Sequence, residues 1–449
     1  MAAARGQFAS RLGFILAAAG SAVGLGNIWG FPTQAASNGG AAFVVVYLIL
    51  AFVLAYPVLM AELLIGRHAH GNAVTALRMI SNSPISRGIG TVAGSLGIVT
   101  ASFILSFYGV VAGWMLGFTA AYPLDMAGFS EAATWFETFS EPRNLILMLL
   151  FMAMTVGIVI GGVHDGIERW SVRLMPALII TLVLLAIYVL TLDGAMDGLK
   201  VYLLPDFSKI WSGGLILNAL GAAFFSLSLG VGTMLIYGSY ISDEEHLPSV
   251  GVQVALIDVG IAVLAGFLIL PAMYVALERG VDIFDASGAL LSEDTLIFAV
   301  LPALFDSLGS VGTIIATAFF GLMSVAALTS SISMLEVPVA FLVEHYNMPR
   351  KRAAIAAGLA ITGISAAIVF NFEALFGLVI AATTRYAQPI GGLIFCLFAG
   401  WVWHRDNLLA ELRKNDVAAE AGLFWKIWPW YVRLVCPAII GVIVVRSVI

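Results

Sequence analysis

The sequence predicts an all-α polytopic membrane protein, and three observations carry that prediction. Of 449 residues, 61% are hydrophobic and 11% charged, against roughly 25% charged in a soluble domain. The apolar residues gather into runs long enough for membrane spans, which need about 20 residues each. No run alternates with period two, which speaks against a β-barrel. A soluble enzyme, a nucleic-acid binder and a disordered scaffold are excluded, because no soluble fold covers so much apolar surface. The two cysteines, Cys396 and Cys436, both lie in apolar runs. That excludes a disulfide scaffold, an iron–sulfur site and a thiolate zinc site.

Eleven spans are expected, at 11–36, 41–66, 88–122, 144–162, 167–192, 214–241, 249–277, 308–343, 352–371, 373–403 and 425–448. They end at charge or turn clusters such as Gly66-Arg67-His68, His164-Asp165, Ser242-Asp243-Glu244-Glu245 and Pro349-Arg350-Lys351-Arg352. Arg5 and Arg11 before Leu12–Ala19 imitate a signal peptide, but the apolar run continues to Pro32. With the N-terminus inside, the cytoplasmic segments hold Arg5, Arg11, Arg67, Arg78, Arg87, Arg169, Arg173, Arg350, Lys351, Arg352, Arg405, Arg413, Lys414 and Lys426. The outer side holds only Arg143, Lys200, Lys209, Arg279 and Arg446. The positive-inside rule therefore places the N-terminus in the cytoplasm and the C-terminus outside. The outer loops are acidic, and the net charge of −6 mainly reflects them. The expected organisation is a cytoplasmic segment 1–10, five helices over 11–192, an outer loop 193–213, and five more over 214–403 with an outer loop 278–307. A cytoplasmic loop 404–424 and an eleventh helix 425–449 follow.

Two spans carry matching interruptions. Gly20-Ser21-Ala22-Val23-Gly24-Leu25-Gly26-Asn27 lies in the first and Ser226-Leu227-Ser228-Leu229-Gly230-Val231-Gly232 in the sixth. Each opens a set of five spans. Paired interruptions of this kind point to an inverted-repeat transporter with its site at the breaks. Backbone that leaves a helix in hydrocarbon exposes N–H and C=O groups at a cost of several kcal/mol each, so it persists only where those groups bind something. Free N–H groups suit an anion and free carbonyls a cation. The alternative is small-residue packing between helices. In the eighth span, Ala326, Thr329 and Ser330 share a face through i, i+3, i+4 spacing. They form half a cage for a monovalent cation, unless the hydroxyls merely bond back to their own helix. Glu62, Asp258 and Glu336 are intramembrane acids, and such groups are functional candidates by default. Glu62 and Glu336 can equally be structural. Asp258 has apolar neighbours on both sides and calls for a bound cation.

Together these motifs resemble the neurotransmitter:sodium symporter family, particularly its eleven-span bacterial amino-acid members. The resemblance rests on Arg11-Leu12-Gly13, Ala19 to Trp29, Phe31-Pro32, Asn38-Gly39-Gly40 with Phe43, and Pro57 with Glu62 and Gly66-Arg67. Tyr108 with Trp114, Phe224 to Gly230, and Leu328 to Ser333 extend it over nearly the whole chain. It implies a leucine-transporter-like 5+5 inverted repeat and a sodium-coupled symporter for a neutral, hydrophobic amino acid, working by alternating access. It further implies two Na+ ions as co-substrates, a place in the plasma (inner) membrane, no enzymatic activity and no nucleic-acid partner. The implied first sodium site is Ala22, Asn27, Ser226 and Asp258, completed by the substrate carboxylate. The second is Gly20, Val23, Ala326, Thr329 and Ser330. The carboxylate would meet the N–H groups near Leu25 and Gly26 and the Tyr108 hydroxyl. The ammonium would meet carbonyls at Ala22 and around Phe225–Ser228. The implied side-chain pocket is Ile104, Tyr108, Phe225, Ser228, Val231, Ser330 and Met334.

Departures from the family pattern are as informative. Relatives that carry amines without a carboxylate place an acid where Gly24 stands, so the substrate here should bring its own negative group. Asp258 supplies a fixed charge, and Ala222 and Ala262 replace polar residues expected of a chloride site; chloride-independent transport is expected. Gly30 stands where many members have an Arg paired with an acid of span 10. Outer closure is then left to Tyr108, Phe225 and loop packing. Arg385, deep in span 10, either pairs with a buried acid or lines the vestibule. An inner gate of Arg5 with Glu344, beside Tyr240 and with Phe8 in place of the usual Trp, is expected, unless Arg5 is only a topology charge. A proton-coupled carrier, a non-transporting amino-acid sensor and an intramembrane enzyme are the competing readings.

Overall fold

The computed structural model describes residues 6–205, 213–286 and 290–448. Helices make up the architecture, and β structure among the described residues is limited to one bridge between Phe284 and Leu290. Seven of these helices are long and apolar enough to cross a membrane: Ala41–Ala69, Pro84–Met126, Glu141–Ile160, Val163–Val189, Leu247–Glu278, Ser310–His345 and Arg350–Phe370. They supply spans 2, 3, 4, 5, 7, 8 and 9. Span 1 is the bent pair Arg11–Ala22 and Gly26–Ser37, with 57° between its halves. Span 6 is divided between Gly213–Ser226 and Thr233–Gly238. Span 10 runs over Phe372–Val402 and turns by 99° into the loop helix Arg405–Arg413. The segment expected as the last span is helical from Leu423–Trp430 through Tyr431–Val435 into Cys436–Val448. The chain is thus an all-α membrane protein.

The segments between spans are more ordered than hydropathy alone suggests. Helices Ala73–Met79, Ser130–Glu137, Ala195–Leu203 and Leu301–Ser307 lie in them. Their apolar faces are too short to register as spans but pack onto the bundle. Local chemistry starts several helices. Ser10 accepts from Gly13 N–H to open span 1, and Ser83 with Ser86 forms a capping box at span 3, each satisfying otherwise orphaned N–H groups. Close helix contact relies on small residues, as in other membrane bundles. A Cβ on Gly113 of span 3 would come within 2.8 Å of the Met148 backbone nitrogen of span 4.

One ion network ties the loop helix Arg405–Arg413 to span 2. Arg67 is fully buried and meets Glu411 Oε1 at 2.7 Å, while its other nitrogens donate to the carbonyls of Glu411 and Glu245. His68 and Lys414 reach the second Glu411 oxygen at 3.1 and 2.9 Å. Burial pushes the Glu411 carboxyl up, but the His68 and Lys414 hydrogen bonds and the Arg67 and Lys414 charges outweigh it and hold it at about 2. A depressed acid stabilises the fold above its ordinary range and ceases to do so as pH falls toward the folded value. This latch is therefore expected to hold at any pH above about 5 and to weaken in strong acid. Glu411→Gln leaves Arg67 buried without its countercharge, a change that costs about 3–5 kcal/mol. A lowered melting temperature in detergent is the expected result; an unchanged one would refute the latch.

Candidate substrate and sodium site

Both interruptions expected from the sequence are present, and their exposed backbone groups are satisfied by specific side chains. In span 1 the helix ends at Ala22, and Val23 turns extended. Gly24 N–H donates to Asn27 Oδ1 at 3.1 Å, and Leu25 N–H donates to the Tyr108 hydroxyl at 2.9 Å. In span 6, Ser228, Gly230 and Gly232 have φ of 51°, 81° and 82°, a left-handed path that glycine tolerates best. Gly230 N–H donates to Glu62 Oε1 at 2.7 Å, Thr233 Oγ1 donates to Ser228 O at 2.8 Å, and Gln388 Nε2 donates to Leu229 O at 3.2 Å. Glu62 therefore holds the break of span 6 from span 2, which is its structural reason for lying in the membrane.

Asp258, fully buried on span 7, faces the two breaks. Its oxygens accept from Asn27 Nδ2 at 2.7 Å and from the Ser226 hydroxyl at 2.7 Å; Asn27 Nδ2 also reaches the Ser226 oxygen at 2.8 Å. The Tyr47 hydroxyl lies 3.2 Å from the same oxygen. Spans 1 and 6 thus meet the span 7 carboxylate directly, and span 2 joins the cluster through Ser226. The Asn27 amide presents its nitrogen to Asp258 and its oxygen to Gly24, so the polar groups of this cluster are mutually paired.

The second set also gathers. The Ser330 hydroxyl is 3.1 Å from Val23 O and 3.4 Å from Gly20 O, and Thr329 Oγ1 is 3.0 Å from Ala326 O. A Cβ on Gly20 would lie 3.3 Å from Thr329 Cβ. Ser330 thus joins span 8 to the span 1 carbonyls, with Thr329 packed beside Gly20, while the Thr329 hydroxyl bonds back to its own helix at Ala326 O and Val325 O.

Between these clusters lies a cavity of about 20 Å³ lined by Ala22, Gly24, Gly26, Ile104, Tyr108, Phe225, Ser228, Val231, Ser330, Met334 and Gln388. The seven residues of the side-chain pocket expected from the resemblance all line it. Leu25 and Ser226 lie beside it. Gln388 was not anticipated, because span 10 offered no motif around the run before Pro389. Gly24 is tightly enclosed: an added Cβ would stand 2.5 Å from the Tyr108 hydroxyl and 2.6 Å from Ser330 Oγ. Gly26 would similarly meet the Phe225 ring at 2.7 Å.

Phe225, Tyr108 and Gly26 also floor a vestibule of about 1620 Å³ that opens on the side of the loops around Ser140, Asp294 and Asn371. Aromatic rings of Trp29, Trp114, Phe298 and Phe376 line it. Arg385 lies on its wall, exposed, and is the sole Lys or Arg among the described lining residues. Gly30 is on the wall too, and a Cβ there would meet nothing nearer than Leu25 O at 4.0 Å. Of the two possibilities for Arg385, the structure shows it lining the vestibule, as Gly30 does.

The opposite side is closed. Phe8 N–H donates to Tyr240 O at 3.1 Å, and the Phe8 ring packs on Phe14 and Tyr237. Glu336 binds Arg350 through both carboxylate oxygens, at 3.0 and 2.6 Å, and accepts from the Tyr240 hydroxyl at 2.5 Å. Glu168 accepts from Ala9 N–H at 2.7 Å and Ser10 Oγ at 3.0 Å, seating the N-terminal segment. Glu344 accepts from the backbone and side chain of Asn72 at 2.7 and 2.8 Å. Arg5, its expected partner, lies outside the described residues. The Glu336–Arg350 pair joins residues far enough apart that no local pattern announced it.

Comparison with known proteins decides the family. The profile described as the sodium:neurotransmitter symporter family matches residues 5–138 and 136–449. The chain belongs to the sodium:neurotransmitter symporter family. It is 34% identical to the uncharacterised sodium-dependent transporter YhdH of Bacillus subtilis, over 97% of this chain and 96% of that one. It is 26% identical to the sodium- and chloride-dependent GABA transporter 2 of Bos taurus, over 82% of this chain and 67% of that protein. The structure of MhsT in complex with L-phenylalanine superposes with a TM-score of 0.84 at 38% identity, covering 99% of this chain and 100% of MhsT. The family is one of transporters, and this symporter-family chain shares the MhsT fold.

Proposed function

We propose that the protein is a sodium-coupled symporter for a neutral amino acid with a hydrophobic side chain, working by alternating access and without chloride. The observation that carries the reading is the convergence of both helix breaks, Asp258 and the mainly apolar cavity of Ile104, Phe225, Val231 and Met334. MhsT, of the same fold, was crystallised with L-phenylalanine.

One sodium ion would take carbonyls of Ala22 and Ser226 with the Asn27, Ser226 and Asp258 side chains. Its entry requires the Asn27 amide to turn its oxygen toward the ion. The other would take Gly20, Val23, Ala326, Thr329 and Ser330. The substrate carboxylate would enter between Leu25 N–H and the Tyr108 hydroxyl and complete the first ion's shell. The tight contact of Gly24 with Tyr108 and Ser330 leaves no room for a protein acid there, in keeping with a substrate that brings its own carboxylate. Closure of Phe225 over the cavity, followed by parting of the Phe8–Tyr240 and Glu336–Arg350 contacts, would expose the site to the N-terminal side, proposed to be cytoplasmic. Two sodium ions with a zwitterion would move two charges, roughly 4.6 kcal/mol per 100 mV of potential. At about 1.4 kcal/mol per tenfold, that sustains a gradient on the order of 10³.

Uptake of labelled phenylalanine or leucine into proteoliposomes tests the reading. Uptake is expected with inward sodium at constant pH, and unchanged when gluconate replaces chloride. Uptake driven by a pH gradient without sodium would overturn the coupling, and sodium-dependent binding without flux would indicate a sensor. Loss of uptake in gluconate would overturn chloride independence alone.

A further inference from the structure

Gln388 is a polar side chain of the cavity wall whose acceptor oxygen has no hydrogen-bond partner among the described residues. Of the others, Ser228 donates to Ser21 O at 3.0 Å, Ser330 faces the Val23 carbonyl at 3.1 Å, and Tyr108 accepts from Leu25 N–H at 2.9 Å. Gln388 is 2% exposed and lines the cavity beside Val231 and Met334. Its Nε2 is engaged by the Leu229 carbonyl at 3.2 Å, while its Oε1 has no partner among the described residues. Exchanging the amide's two ends would set oxygen against oxygen at Leu229, so the orientation is dictated by that contact. Buried acceptors are nearly always paired in native proteins, and an unpaired one calls for an explanation.

The placement is also rigid. Span 10 abuts the break of span 6 so closely that a Cβ on Gly230 would fall 2.0 Å from Gln388 O, and one on Gly391 would fall 1.9 Å from Gly230 O. The backbone that carries the Gln388 side chain is therefore held against the break. Gln388 shares the cavity wall with Ile104, Val231 and Met334 of the proposed side-chain pocket.

We infer that Gln388 is a specificity-determining residue whose Oε1 accepts a hydrogen bond from an N–H or O–H on the substrate's side chain. The site then favours tyrosine and tryptophan over phenylalanine, whose ring lacks such a donor. This rests on the amino-acid reading above and deepens it. A buried acceptor left unpaired by the wrong ligand penalises that ligand; the preference expected from one such bond is about tenfold.

Equilibrium binding of L-tyrosine, L-tryptophan, L-phenylalanine and L-leucine to the purified protein in sodium tests it. Wild type is expected to prefer tyrosine over phenylalanine. Gln388→Leu is expected to lower that ratio about tenfold. Its effect on the Leu229 carbonyl falls on all four ligands alike and cancels in the ratio. An unchanged ratio in a variant that still binds phenylalanine overturns the inference and leaves the amino-acid reading standing. If the variant does not fold, the wild-type ratio decides: no preference for tyrosine overturns it. Wild type that binds none of the four with sodium overturns the amino-acid reading and the inference together.

Discussion

Asp258→Ala is expected to abolish sodium-dependent uptake, lowering it by at least about 100-fold, on the scale seen when a buried charged partner is removed. Asp258 is the acceptor for both Asn27 Nδ2 and Ser226 Oγ. Without it, the Ser226 hydroxyl loses its acceptor and Asn27 Nδ2 one of its acceptors, and the proposed first sodium site loses the only formal charge the protein supplies. A cation transferred from water into a buried site needs compensating charge and oxygen ligands; carbonyl dipoles alone leave most of its hydration unreplaced. Sodium titration followed by tryptophan fluorescence, together with uptake, separates binding from turnover. Asp258→Asn adds a second arm. It keeps the oxygen donor but removes the charge, so any uptake it retains should depend on an added anion such as chloride. Uptake and sodium affinity within twofold of wild type in Asp258→Ala would remove this carboxylate from the mechanism.

Gly230→Ala is expected to destabilise the protein and to eliminate amino-acid binding. Gly230 has φ of 81°, and such backbone costs a non-glycine residue roughly 1–2 kcal/mol. The added Cβ would also stand 2.0 Å from Gln388 O and 2.8 Å from Gly392 N. Both are backbone atoms, so relief requires span 10 to move away from the break. That movement would strain the 2.7 Å contact from Gly230 N–H to Glu62 and the 3.2 Å contact from Gln388 to Leu229 O. Each loss leaves a backbone polar group unpaired at membrane depth, at several kcal/mol. The readouts are a lowered melting temperature and absent binding of phenylalanine. Gly221→Ala serves as the control, since nothing lies within 4 Å of a Cβ there. A Gly230→Ala protein with wild-type melting and binding would show that the break does not depend on this close approach.

Much of the proposed site was legible because its signals are local. Glycines flanked by hydroxyl residues marked both breaks, and i, i+3, i+4 spacing marked Ala326, Thr329 and Ser330 as one face. Lone acids in apolar runs marked Glu62, Asp258 and Glu336. What Glu62 and Glu336 do was not legible. Glu62 serves the backbone of Gly230, and Glu336 serves Arg350 and Tyr240. Neither role leaves a local pattern, since each joins residues on different spans. The same is true of Gln388 and of the buried Arg67–Glu411 pair. The loop helices escaped notice for another reason: hydropathy registers only segments long enough to span, and theirs are short.

By itself, the sequence determined that the chain is a helical membrane protein, where its helices break and which donors cluster at the breaks. These follow from composition, span length and the unpaired backbone groups that a break in hydrocarbon must leave. Only the tertiary structure decided which side chains satisfy those groups and which retain unused capacity. It also decided that Arg385 lines the vestibule. The physical reason is that a buried polar group is satisfied by whatever lies within about 3 Å of it in space. In a bundle of long helices, that neighbour is often hundreds of residues away along the chain.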